Sequence, residues 1–193
     1  MQPATFEDVV MRHAGLLYRL ALRLTGHAED AEDVVQETLI RAHKAFPRFE
    51  MHEYGARPWL LKILHRVFFT RRQRQARHSQ PLRELRSDEL AASTNHEPLV
   101  IPANGQVDWD SFDQELKTAV ERLPVEYRSV LLLWALGDLA YREIADILDC
   151  PVGTVMSRLY RARQLLGQSL ADYAARRGLR VSAAPPSRQD HST

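Results

Sequence analysis

Apolar positions recur every three to four residues through most of the chain, and no stretch keeps the every-second-residue alternation of a half-buried strand. The first helix is expected from about Phe6 to Leu24. Thr5 and Asp8 approximate a capping box at its start, and Gly26 suits its stop. A second helix is expected from about Glu29 to Phe46, ended by Pro47, and Phe49 to Arg57 reads as a loop. Pro58 suits a first helical turn and opens a third helix to about Arg77. Periodicity weakens over residues 78–107, which contain Pro81, Asn95, Pro98, Pro102, Asn104 and Gly105. It resumes near Ser111 in a helix ending before Pro124, then in segments from Val125 to Leu136 and from Tyr141 to Leu148. After a turn at Asp149-Cys150-Pro151, a long helix runs from Val152 to about Tyr173. Gly178 to Thr193 reads as a disordered tail. The expectation is an all-α protein: two small helical domains joined by a flexible linker, the C-terminal one a helix-turn-helix.

Composition narrows the function. The chain has 193 residues, 45% of them apolar and 26% charged, as in a folded globular protein. No apolar run approaches the roughly 18–20 residues of a membrane span, and no contact with a membrane is expected. The first ten residues carry Glu7 and Asp8 but no Lys or Arg, so no secretory signal is expected, and the expected compartment is the cytoplasm. Cys150 is the sole cysteine, which excludes an internal disulfide and a multi-cysteine metal site. The eight histidines lack ligand spacing, and no paired carboxylates or nucleophile triad can be argued from spacing. No catalysis, metal or cofactor is expected.

The net charge of +1 conceals alternating blocks: −2 over residues 1–50, +6 over 51–77, −5 over 78–137 and +2 over 138–193. Such alternation suits separate surfaces for separate partners. On a helical wheel of the second helix, Ala31, Val35, Thr38, Leu39, Ala42 and Phe46 form a core stripe. Asp33, Gln36, Glu37, Ile40 and Lys44 lie opposite, a face that suits either solvent or a protein partner. In the third helix Trp59, Leu60, Leu61, Ile63, Leu64, Val67 and Phe68 form the apolar side, while Lys62, His65, Arg66, Phe69 and Arg72 lie together. From Lys62 to Arg77 there are six basic residues and no acidic one, with Phe69 among them. That pattern serves unpaired nucleic acid, since cations follow phosphates and rings stack on bases. In the last helix Val155, Leu159, Ala162 and Leu166 face inward, while Thr154, Ser157, Tyr160, Arg161 and Gln164 face outward with Arg158 beside them. This is the equipment of a helix that reads a major groove.

Four stretches, Asp30-Ala-Glu-Asp-Val-Val-Gln-Glu-Thr38, Trp59-Leu-Leu-Lys-Ile-Leu-His-Arg66, Leu123-Pro124 and Cys150-Pro-Val-Gly-Thr-Val-Met-Ser-Arg-Leu-Tyr-Arg-Ala-Arg163, resemble the bacterial sigma factors of the extracytoplasmic-function group. The resemblance implies a region 2 domain over 1–77, a linker over 78–110, a region 4 domain over 111–175 and a tail over 176–193. It implies a subunit that binds core RNA polymerase and promoter DNA, restrained by an anti-sigma factor. Asp33, Gln36, Glu37 and Ile40 would dock on the polymerase. Lys62, Arg66, Phe69, Arg71, Arg72 and Arg74 would handle the single-stranded −10 element. Thr154, Met156, Ser157, Arg158, Tyr160 and Arg161 would read the double-stranded −35 element. Many members carry Asn where Arg66 stands, and Ser or Thr where Ala140 stands at a helix start.

Overall fold

A computed structural model of the chain describes residues 5–50, 55–78 and 114–170, and every regular element among them is helical. The expected linker and tail lie outside these residues apart from His78, as does the middle of the Phe49–Arg57 loop.

The first expected helix is interrupted. Helix α1, Phe6–Val10, passes through a tight 3-10 turn, Met11–His13, into α2, Ala14–Thr25. The Thr5 hydroxyl accepts the amide of Asp8 at 3.2 Å and Asp8 Oδ2 accepts the amide of Thr5 at 3.1 Å, completing the capping box. Gly26 ends α2 with φ +82°, a left-handed conformation that glycine adopts without strain. Helix α3, Ala28–Ala45, carries Glu29 and Asp30 in its first turn and His43 and Lys44 in its last, each suited to the helix dipole. Its most buried residues are Ala31, Val34, Thr38 and Ala42, with Val35, Leu39 and Phe46 packed less deeply. Val34 therefore joins the stripe expected from the wheel, because α2 and α4 approach α3 from different sides.

Helix α4, Arg57–His78, buries Leu60, Leu61, Leu64, Val67 and Phe68. Phe6, Phe46, Phe49 and Trp59 form an aromatic chain beside its first turns, with Phe49 and Trp59 ring centres 4.3 Å apart.

The C-terminal half comprises α5, Gln114–Glu121, α6, Val125–Gly137, α7, Tyr141–Leu148, and α8, Val152–Ser169. Helices α7 and α8 form the expected helix-turn-helix, and Asp149 turns the chain between them at φ +53°. Ala140 offers no side-chain acceptor at the start of α7. Glu143 Oε2 accepts its amide at 2.7 Å, so only half of a capping box forms. Val155, Leu159, Ala162 and Leu166 are all buried, as the wheel requires. From α8 the Arg163 guanidinium reaches over α6, 4.7 Å from the centre of the Trp134 ring.

The two halves share one continuous apolar core. Helix α4 packs on α7 as well as on α2 and α3, and α6 packs on α2. Polar links follow the same seam. Arg57 Nη2 donates to the carbonyl of Asp138 at 3.1 Å, and Arg23 lies 3.6 Å from Glu121. Arg128 of α6 donates Nη1 to the carbonyl of Glu121 and Nη2, at 3.1 Å, to the carbonyl of Leu24. Both acceptors sit in last helical turns, where carbonyls lack partners inside the helix and a cation meets the negative end of the dipole.

Arg128→Ala should lower the unfolding free energy by about 2–4 kcal/mol, since it strips two partly buried carbonyls of a charged donor. Arg128→Lys, which can satisfy one carbonyl at a time, should recover about half. Denaturant titration of the three proteins measures this, and an alanine variant as stable as wild type would refute the double cap.

Candidate functional site

Three surfaces gather the residues singled out from the sequence. The first is the outer face of α3. Asp33 and Gln36 are exposed, Glu37 is half-buried, and Ile40 is 55% exposed among them. Asp33 and Glu37 stand one turn apart, and both are engaged by Arg71 of α4. Arg71 Nη2 donates to Asp33 Oδ2 at 2.7 Å, and Nη1 lies 3.7 Å from Glu37 Oε2. Arg41 also pairs with Glu37 along the helix. Arg71, expected on the DNA-handling face, thus stands on the acidic one. It follows Val67 and Phe68 by one turn, so its stem leaves the core stripe directly beside α3.

The second surface is the polar side of α4. Arg66, Arg72 and Arg74 are exposed, and Lys62 is half-buried. Phe69 does not stand clear of the protein. Its ring centre is 4.4 Å from that of His65 and 5.2 Å from that of Phe68.

The third surface is α8. Met156 and Tyr160 are 51% and 52% exposed, Ser157 and Arg161 are exposed, and Thr154 and Arg158 are half-buried. Arg161 Nη1 donates to Gln164 Oε1 at 2.9 Å, which steadies its fork at the surface. The Ser157 hydroxyl donates to the carbonyl of Thr154 at 3.0 Å. Arg158 is half-buried, and its charge is felt at His65 of α4.

Arg57 and Arg128 were not marked by sequence reasoning, and His65 was placed only on the polar side of the third helix, yet all three serve the seam. The available signal was an ionisable side chain at the edge of an apolar run, as with His65 after Ile63-Leu64 and Arg128 two residues before Val130-Leu-Leu-Leu133. Among the described residues no group of three or more His, Cys, Asp or Glu side chains is placed to hold a metal. No helix among them is long and apolar enough to cross a membrane.

Comparison with known proteins identifies the class. The family model of Sigma-70 region 2 matches residues 9–78, and that of Sigma-70 region 4 matches residues 113–166. The chain belongs to the extracytoplasmic-function sigma factors of the sigma-70 family, transcription initiation factors that bind core RNA polymerase and direct it to promoters. It is 30% identical to the ECF RNA polymerase sigma factor SigW of Bacillus subtilis over 86% of this chain and 89% of that protein. It is 32% identical to the ECF RNA polymerase sigma factor SigE of Mycolicibacterium smegmatis over 89% of this chain, and spans 63% of that longer protein. Its fold is similar to the sigma factor RpoE of Bartonella quintana, solved in complex with the anti-sigma factor NepR. There the TM-score is 0.65 and the identity 28%, over 86% of this chain and 96% of that one.

Burial, together with the charges of Arg158 and Arg66, pushes His65 from its ordinary 6.5 down to about 4, and its Nε2 is buried without a hydrogen-bond partner. A folded-state value below the unfolded one means that full stability is present above 6.5 and is lost as pH falls toward 4. The gap corresponds to about 3 kcal/mol. The melting temperature should therefore fall between pH 6.5 and 4, and His65→Gln should flatten that slope. Part of it will remain, because burial and the nearby Arg12 and Arg57 also hold His13 below its ordinary value. An unchanged slope in His65→Gln would show that His65 is not buried neutral at the seam.

Proposed function

We propose that this chain divides the work of a sigma factor among its three surfaces: α3 docks on core polymerase, α4 handles the opened −10 element, and α8 reads the −35 element as duplex. The observation that carries the reading is the α8 face. Ser157, Tyr160 and Arg161 are exposed on a helix anchored by four buried residues, so they can meet base edges without disturbing the core. On α4, Lys62, Arg66, Arg72 and Arg74 supply cations for the strand backbone. Phe69 offers a ring for an unpaired base once it parts from His65. Arg71 contributes to the docking face rather than to the −10 set. The domain limits expected from the sequence, 1–77 and 111–175, stand as the units of this division.

The same reading places the protein in the cytoplasm, acting without catalysis of its own, and held in check by an anti-sigma factor. The last point is supported by the likeness to the Bartonella quintana sigma factor bound to NepR.

Positions −10 and −35 are 25 base pairs apart, about 85 Å along B-form DNA at 3.4 Å per step. Helices α4 and α8 here belong to one packed body, with Arg158 close enough to act on His65. The halves must separate at the seam for both elements to be bound together. The 35 residues from 79 to 113 can span about 115 Å when extended, which is enough.

Transcription from a promoter library randomised over the −35 element, with purified core polymerase, tests the assignment. Arg161→Ala should flatten base preference at particular positions, since a guanine fork contact is worth about 1–3 kcal/mol of discrimination. Arg158→Ala should weaken all promoters alike and reduce the dependence on salt. Base preference unchanged in Arg161→Ala would remove Arg161 from direct readout.

A further inference from the structure

The acidic face of α3 is not made by α3 alone. Asp33 and Glu37 are like charges one turn apart, an arrangement that drives the two side chains away from each other on an isolated helix. The opposing cation comes from α4, 38 residues further along the chain. We propose that Arg71 is a positioning residue for polymerase docking: its guanidinium fork spans Asp33 and Glu37 and holds both carboxylates in the arrangement that the docking partner meets. The proposal rests on the assignment of α3 as the docking face.

Three observations carry it. The fork reaches one oxygen of each carboxylate, at 2.7 Å for Asp33 Oδ2 and 3.7 Å for Glu37 Oε2. A carboxylate has about four acceptor positions, so the one cation contact of Asp33, and even the two of Glu37, leave capacity for a cation arriving from outside. The exposures agree with this. The Asp33 side chain remains 57% exposed although paired, whereas Arg71 and Glu37 are only 29% and 28% exposed. Arg71 thus lies beneath the Asp33 carboxylate, whose outward side stays open, and level with Glu37. Finally, Arg71 cannot wander far, because its stem rises directly from the buried Val67–Phe68 turn.

The charge balance refines the argument. Asp33 and Glu37 are met by Arg71 and Arg41, so the four side chains sum to zero. Long-range attraction of a basic partner is correspondingly weak, and recognition falls to the fixed placement of the carboxylates. A side chain immobilised before docking need not be ordered during it, and this saving appears in the lifetime of the complex. Arginine is required for the task. Its planar fork addresses two acceptors at once, whereas the lysine ammonium is a single compact charge.

The test measures binding of the full chain to core polymerase by surface-attached kinetics, for wild type, Arg71→Ala, Arg71→Lys, Asp33→Ala with Glu37→Ala, and the triple variant. Circular dichroism and melting verify that each is folded. We expect Arg71→Ala to weaken binding about three- to tenfold through faster dissociation, with association unchanged or faster because a repelling cation is gone. Arg71→Lys should fall between wild type and alanine. In the Asp33→Ala, Glu37→Ala background, loss of Arg71 should add nothing. Affinity unchanged or tighter in Arg71→Ala, while the double carboxylate variant binds poorly, overturns the positioning role and leaves the docking face standing. Core binding by the double carboxylate variant equal to wild type overturns the docking face and Arg71's role with it. A further loss in the triple variant shows Arg71 acting other than through these carboxylates, and also overturns the proposal.

Discussion

Helix α4 buries an apolar band along its first three turns against three other helices, and the arrangement of those helices depends on it. Leu60, Leu61, Leu64, Val67 and Phe68 are buried among α2, α3 and α7. The N-terminal helices α2 and α3 cover part of this band, and α7 of the helix-turn-helix packs on it as well. Burial of even one leucine contributes about 1.5–3 kcal/mol, so covering the band is a substantial stabilising term. The cost falls on His65, which loses water and hydrogen-bond partners on the flank of the same helix.

Arginine supplies most of the polar connections over this core. Arg128 joins the ends of α2 and α5, Arg57 reaches the carbonyl of Asp138, and Arg71 spans two carboxylates of α3. A forked donor on a long apolar stem suits each place, because the stem packs against the core while the fork meets two acceptors at its rim. Helix ends and paired acids, which would otherwise resist close approach, become points of attachment. Links of this kind are also reversible. They trade protein acceptors for water at modest net cost, as a chain needs if its two halves are to part and occupy distant promoter elements.

The division of surfaces follows from this packing. Helix α8 presents its polar face outward because its apolar face is committed to α6 and α7. Helix α3 presents Asp33, Gln36, Glu37 and Ile40 outward because α2 and α4 occupy its other sides. The aromatic ring of α4 has the opposite fate. Phe69 rests against His65 and Phe68 of its own helix, so its ring does not stand clear of the protein.

Periodicity by itself determined the helical class, the capping box of Thr5 and Asp8, the helix-turn-helix and the inward and outward faces of α8. Each of these depends on residues within a few turns of one another, where 3.6-residue geometry fixes direction. The motifs and their order were enough to point to the sigma factor family. Tertiary structure alone decided which neighbours meet across the core. Val34 became buried, and the first helix broke at Met11–His13. Arg71 turned from the basic set to the acidic face, and Arg128 found two carbonyls in different helices. A wheel gives the direction in which a side chain leaves its helix, but not what lies there. That depends on contacts between residues 38 to 104 positions apart, whose pairing only the packed core selects.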